Sequence, residues 1–98
     1  VADQVLDYVA DLAEATRKHV LITLGLSPRG TLALVRMAKA AAYMKERDYV
    51  IPKDVQEVFK DVAAHRMILD SKARYQEKSA REILSEILSE VPEPKVEG

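Results

Sequence analysis

An arginine in the first turn of a predicted helix is the side chain in this sequence that is best placed to do chemistry. Ser27 is a common helix-capping residue, and Pro28 suits the first helical position, where its missing N–H costs nothing. Arg29 follows in the first turn, where the helix N-terminus already carries about half a positive charge. Together they favour an anion, and the guanidinium fork fits phosphate or carboxylate. The open alternative is that Arg29 is solvated or paired with a neighbouring acid.

Four further basic residues have simpler explanations. Arg36 follows Arg29 by two turns on roughly the same face, and Arg47 closes the same predicted helix, so we expect both on a solvated face. His65 and Arg66 could meet a nucleotide or a subunit, but two cations that close a helix are the more common pattern. The main candidate for chemistry is therefore Arg29.

Amphipathic helices must position these residues. Apolar residues recur with helical spacing in four segments, which predicts an all-α domain with three or four helices around one core. The predicted helices cover residues 5–19 (with Leu6 on the apolar stripe), 28 to about 47, 52 to about 66, and 80–91. Alanines in the second helix leave little side-chain bulk, so we expect most of its faces to be partly covered. Residues 20–26 are predicted as an extended or irregular buried connector, and residues 67–78 as turns around a short central piece.

The composition excludes several classes of protein. Ninety-eight residues allow one domain, and no phosphate-binding glycine string is present, so the chain has no nucleotide-binding α/β domain of its own. Without cysteine there is no disulfide or thiolate metal site, and two distant histidines argue against a metalloenzyme. We therefore expect no metal site.

Charge and hydropathy bear on partners and location. Fifteen basic against sixteen acidic residues lack the basic surplus of a dedicated DNA-binding protein. No apolar run approaches the roughly 20 residues that span a bilayer, and the acidic N-terminus does not resemble a signal peptide. We expect no nucleic-acid partner, no membrane span and a cytoplasmic location. Because the sequence begins without Met, we also expect it to be a piece of a longer protein.

Several ordered blocks resemble the C-terminal lid domain of MoxR-type AAA+ ATPases, and magnesium-chelatase subunits have a similar lid. The blocks are GLSPRGTLAL (25–34), AKA (38–40), RDYVIPKDV (47–55), HRMIL (65–69) and the final capped helix. The resemblance covers about residues 1–92. It implies a small four-helix AAA+ lid domain over residues 1–91, followed by a flexible C-terminal tail over residues 92–98.

The resemblance also implies a role for the Ser-Pro-Arg string. In this family the string carries the sensor-2 arginine, which corresponds to Arg29, with Ser27 and Pro28 beside it in the nucleotide-binding contact. Arg29 would contact the γ-phosphate of ATP, which is held with Mg²⁺ by an N-terminal P-loop α/β domain that this sequence lacks. Whether that nucleotide belongs to the same or a neighbouring subunit stays open. The fragment alone is expected to bind no cofactor and to be inactive.

The function implied by the resemblance is the coupling of ATP binding and hydrolysis to the motion of a ring. The expected partners are the N-terminal α/β domain, neighbouring subunits of a homo-oligomeric ring, and von Willebrand A-type proteins. The family's role is chaperone-like, in maturation of partner proteins or metal insertion into them. The alternative is a free-standing, histone-fold-like module that binds protein or nucleic acid, because a short link before Pro52-Lys53-Asp54-Val55 also occurs in such helices.

The sequence departs from the family pattern at three places. The family usually has Ala or Gly at the position of Leu26, Thr or Ser at the position of Ile51, and a Gly near Glu77. Without a side-chain cap at Ile51, we expect Asp54 to face the free N–H groups of the third helix. None of these departures involves Arg29.

Overall fold

Residues 1–94, the part of the chain that the computed structural model describes, form five helices and two short strands. They are α1 (Asp3–Lys18), β1 (Ile22–Leu24), α2 (Pro28–Met44), α3 (Pro52–Ala64), β2 (Ile68–Leu69), α4 (Ser71–Tyr75) and α5 (Ala80–Glu90). The all-α prediction is therefore confirmed, but residues 1–94 form five helices instead of four, because α4 forms within the stretch that was predicted as turns. Of the predicted tail, residues 92–94 carry no helix or strand, and residues 95–98 lie outside the described residues. No helix within the described range is long and apolar enough to cross a membrane.

The four long helices meet in one apolar core. Helix α3 packs against both α2 and α5, and α1 packs against the same two helices. Each of them contributes a side chain with no exposed surface: Leu12, Leu34, Phe59 and Ile83. The apolar stripes predicted for the first, third and fourth helices are buried, although Leu6, predicted to widen the first stripe, is 41% exposed. Since a 3.6-residue period places every third or fourth residue on one face, these stripes could be found without tertiary information.

Helix α2 differs from its prediction in length and in burial. It ends at Met44 instead of continuing to about Arg47, so Arg47 does not belong to the helix. Glu46 has a positive φ of 62°, its N–H donates to the carbonyl of Tyr43, and the N–H of Arg47 donates to the carbonyl of Ala42. This is the hydrogen-bond pattern of a Schellman motif, which terminates a helix.

The expected coverage of most faces of α2 is also wrong. One face is buried, formed by Gly30, Leu34, Ala38 and Ala42. Leu32 and Met37 remain 50% and 47% exposed on the other side. The physical reason is that the other helices approach α2 from one side, so its small alanine side chains do not bring neighbours to every face.

A buried carboxylate organises the turn between α2 and α3. Asp54 has no exposed surface and accepts two hydrogen bonds from the guanidinium of Arg47, at 2.7 and 2.8 Å. It also accepts the N–H of Ile51 at 2.9 Å, and Lys45 Nζ lies 3.4 Å from its Oδ1. The expectation that Asp54 compensates for the missing cap at Ile51 is thereby confirmed, and Arg47 is its partner instead of a solvated cation.

The connector over residues 20–26 pairs with the segment over residues 67–78, which was predicted as turns. Residues 22–24 and 68–69 form a two-stranded antiparallel sheet, with Ile22 opposite Leu69 and Leu24 opposite Ile68. The connector over residues 20–26 was predicted to be buried, but Val20 and Leu24 are 74% and 55% exposed. The pairing ties the end of α3 to the segment that leads into α2, so the start of α2 lies near the end of α3.

Candidate functional site

Helix α2 begins as the sequence predicted. Ser27 Oγ accepts the N–H of Gly30 at 3.1 Å, the Ser27 carbonyl accepts the N–H of Thr31 at 2.8 Å, and Pro28 occupies the first helical position. Because Pro28 has no N–H and two of the next three donors are already used, the backbone offers few free donors at this end. An anion here would therefore depend mainly on a side chain and on the helix dipole.

Arg29 supplies that side chain. Ser27, Pro28 and Arg29 are adjacent and all exposed. Within residues 1–94, Arg29 takes part in no ion pair and donates no side-chain hydrogen bond, so pairing with an acid is not realised there. Its exposure fits the other open alternative, a solvated arginine. No residue of the described range therefore occupies the guanidinium.

The end of α1 holds the segment before this first turn. Thr16, which is fully buried, accepts the N–H of Leu26 at 2.9 Å through its Oγ1 and donates to the carbonyl of Ala13 at 2.6 Å. Arg17 Nε donates to the carbonyl of Leu26 at 2.8 Å. Both backbone polar groups of Leu26 are therefore satisfied by α1. As a result, Ser27 and Arg29 start from a fixed position.

Gly25 permits this close approach. A Cβ at Gly25 would lie 2.7 Å from the backbone of Arg17, a distance that real Cβ atoms essentially never show. Residue 25 must therefore lack a side chain for the connector to reach the end of α1. The φ of Gly25 is not positive, so backbone conformation does not require a glycine there. Packing against α1 does.

Gly30 is the contact point of two other side chains. A Cβ at Gly30 would lie 2.7 Å from Cδ1 of Leu26, which is fully buried, and 3.4 Å from Cδ of Arg66. Leu26, larger than the usual family residue, thus occupies the space beside Gly30. Arg66 lies just beyond the end of α3, so its side chain reaches the first turn of α2.

The sequence that flanks this turn lacks acids, although Glu14 of α1 pairs with Arg17, which binds the Leu26 carbonyl. No Asp or Glu occurs between Glu14 and Glu46, and this stretch contains six lysines and arginines. The first turns of α1, α3 and α5 each contain an acidic residue, whereas the first turn of α2 contains none. Because acids normally stabilise a helix N-terminus, the arrangement at α2 leaves a positive potential that suits an anionic group.

The structure sorts the predicted candidates. Ser27, Pro28 and Arg29 lie together at the start of α2, and Arg36 is exposed on the same helix. Arg47 is not available for a ligand, because its guanidinium is hydrogen-bonded to Asp54. The helix N-terminus and the guanidinium suit an anion chemically. Within residues 1–94 no group of His, Asp and Glu is placed to bind a metal ion.

Three features of the site were missed in the sequence analysis. The first is Thr16, a polar residue that continues the buried stripe of α1 and could have been noticed there. The second is the acid-free stretch between Glu14 and Glu46, which is visible in the sequence itself. The approach of Arg66 to Gly30 had no comparable signal, because it depends on the pairing of β1 with β2.

Known proteins resemble this chain in sequence and in structure. The family model "AAA lid domain" matches residues 14–87. The uncharacterized protein YeaC of Bacillus subtilis is 39% identical over 92 residues, which are 94% of this chain and 29% of that protein. The chaperone MoxR1 of Mycobacterium tuberculosis is 36% identical over 100 residues, covering 93% of this chain and 26% of that protein.

One solved structure supports the same comparison. The crystal structure of a putative ATPase from Cytophaga hutchinsonii superposes with a TM-score of 0.88 at 35% identity, covering 96% of this chain and 31% of that one. The chain thus spans less than a third of the length of each of these relatives.

Proposed function

The chain belongs to the AAA lid domain family as the lid of a MoxR-type AAA+ protein, and from this membership we propose that Arg29 contacts the γ-phosphate of ATP. The nucleotide and its Mg²⁺ would be held by a P-loop α/β domain in the rest of the protein. Ser27 and Pro28 set the position of the first turn of α2, and Arg29 is the group that touches phosphate. The parent protein is proposed to be an ATPase whose lid contributes this one side chain.

The observation that carries the proposal is the exposed Arg29, which has no ion pair among residues 1–94, in a first turn without acids. A guanidinium beside a transferring phosphoryl group stabilises the charge that develops on its oxygens. Arginines in such positions are worth about 10³–10⁵ in rate. The residues fit a phosphate group chemically, because the fork supplies two N–H donors and the helix dipole adds to its charge.

The anchoring of Leu26 suggests how nucleotide state reaches the rest of the lid. Thr16 and Arg17 attach the segment before Arg29 to α1 through both backbone polar groups of Leu26. A force on the guanidinium would therefore move the lid as one packed body, and loss of the γ-phosphate would release it. We propose that this coupling drives motion in a homo-oligomeric ring.

The cellular role is proposed from the names of relatives. One relative is called a chaperone, which supports a chaperone-like role. That partner proteins are matured or receive a metal in this role is proposed from the family resemblance alone. Von Willebrand A-type proteins are the proposed partners and the cytoplasm the proposed location. The family match favours the lid over the histone-fold-like alternative, and we expect no gel shift with duplex DNA.

The test uses the full-length protein that carries this chain. Arg29→Ala is expected to reduce ATP turnover by about 10³-fold or more, while the ring still assembles. Arg36→Ala serves as the matched control, because Arg36 is an exposed arginine two turns further along the same helix. Unchanged turnover in Arg29→Ala rings of normal size would refute the proposed role.

A mixing experiment decides which subunit's nucleotide Arg29 contacts. Arg29→Ala subunits are combined with subunits whose P-loop lysine is replaced, so that neither kind is active alone. If Arg29 acts on the neighbouring subunit, mixed rings contain some complete sites and recover turnover. If Arg29 acts within its own subunit, mixed rings stay inactive.

A further inference from the structure

We propose that Arg66 is a second contact to the same terminal phosphate, an inference that rests on the function proposed for Arg29. Arg66 follows His65, the C-cap residue of α3, and the N–H of Arg66 donates to the carbonyl of Ala63 at 3.0 Å. The ordinary explanation for such a cation is that it stabilises the end of α3. The tertiary structure adds a second location, beside the first turn of α2.

The contact with Gly30 defines that location. The Cδ atom of Arg66 lies 3.4 Å from where a Cβ of Gly30 would be, so its aliphatic part packs against the buried face of this turn. The residue as a whole is exposed, which leaves its charged end in solvent beside the turn that carries Arg29. Because the aliphatic part of the Arg66 side chain is already held against Gly30, the side chain loses less conformational entropy when its guanidinium binds a ligand.

The pairing of the two strands produces this approach. Arg66 stands two residues before β2, and β1 ends three residues before Ser27. When Leu24 pairs with Ile68, the end of α3 and the start of α2 are brought to the same side of the domain. The juxtaposition is therefore built into the fold.

Charge supports a ligand at this point. Arg17, Arg47 and Arg81 each pair with a carboxylate, whereas within residues 1–94 Arg29 and Arg66 do not, and neither do Arg36 and Arg74. Arg29 and Arg66 differ from the other two because both lie at the first turn of α2. Both arginines lie at a helix N-terminus, where a cation is unfavourable, so an anion contacted by both would offset this cost. A terminal phosphate has several free oxygens and can accept hydrogen bonds from both arginines at once.

The experiment compares Arg66→Met with Arg36→Met and Arg29→Met in the full-length protein. Methionine keeps the aliphatic packing against Gly30 and removes the charge. We expect Arg66→Met to bind a non-hydrolysable ATP analogue about ten-fold more weakly, since a hydrogen bond to a charged group is lost. Its ADP affinity should stay unchanged, because ADP has no γ-phosphate, and its ATP turnover should fall. Arg36→Met should match the wild type in all three measurements.

Each other outcome overturns the proposal in a distinguishable way. If Arg29→Met is impaired and Arg66→Met behaves as Arg36→Met does, Arg66 is not a contact, while the role of Arg29 stands. If Arg66→Met weakens ADP and the ATP analogue equally, the effect does not involve the terminal phosphate. If Arg29→Met binds and hydrolyses ATP normally, the proposed function itself fails. Circular dichroism checks folding, and Arg66→Gln replaces the methionine variant if that variant does not fold.

Discussion

The carboxylate of Asp54 offers a sharp test of how this domain is held together. It is fully buried, with the Arg47 guanidinium and the Ile51 N–H hydrogen-bonded to it, and Lys45 lies nearby with its own partner Glu57. The hydrogen bonds from Arg47 are the main reason that the pKa of Asp54 falls from 3.8 to about 2. Replacing Asp54 with Asn keeps the size and one acceptor but removes the charge.

The magnitude follows from the pKa. Since one unit of pKa corresponds to about 1.4 kcal/mol, the ionised form of Asp54 contributes about 2 kcal/mol to the free energy of unfolding. A lowered pKa in the folded state means that this contribution is complete above about pH 4 and is lost as the pH falls towards 2. Asp54→Asn should therefore cost about 2 kcal/mol near pH 6 and little near pH 2.

Urea denaturation followed by circular dichroism, between pH 2 and 6, measures both quantities. The difference between the wild type and Asp54→Asn isolates this group, because all other carboxylates titrate in both proteins. Asp61→Asn is the control, since Asp61 and its partner Arg81 have side chains 67% and 55% exposed and should contribute about 0.5 kcal/mol or less. A difference between wild type and Asp54→Asn that does not change with pH would refute the reasoning.

Two further predictions concern backbone positions. Gly30→Ala should destabilise the domain by about 1 kcal/mol, because its Cβ would clash with the buried Leu26. In a Leu26→Ala background the same change should stabilise the domain through helix propensity. Shifts of the urea midpoint in the same direction in both backgrounds would contradict the clash. Glu46→Gly should raise the free energy of unfolding by up to about 1 kcal/mol, since Glu46 has a φ of 62° that glycine adopts without strain. Lys39→Gly, within α2, is the control and should lower the free energy of unfolding by a similar amount. A lower stability of Glu46→Gly than of the wild type would show that the φ of Glu46 carries no strain.

The helices and their caps could be predicted because they depend on neighbours in sequence. The start of α2 at Ser27 and Pro28, and the buried stripe of α3 around Val55 and Phe59, follow from spacing and from capping chemistry. The end of α2 could not be located as well, because Glu46 adopts a left-handed conformation that its residue type does not favour. The packing around Arg47 and the Asp54 network accompanies that turn.

The sequence by itself determined an all-α domain, its family resemblance and Arg29 as the residue to test. These depend on local periodicity, on helix capping and on an ordered set of motifs, all of which can be read along the chain. Only the tertiary structure decided what surrounds Arg29. Thr16 and Arg17 are hydrogen-bonded to the backbone of Leu26, and the side chain of Arg66 approaches Gly30. Those contacts join α1, α2 and the end of α3 through the pairing of two short strands. Pairing between segments more than 40 residues apart leaves no periodic trace in either of them.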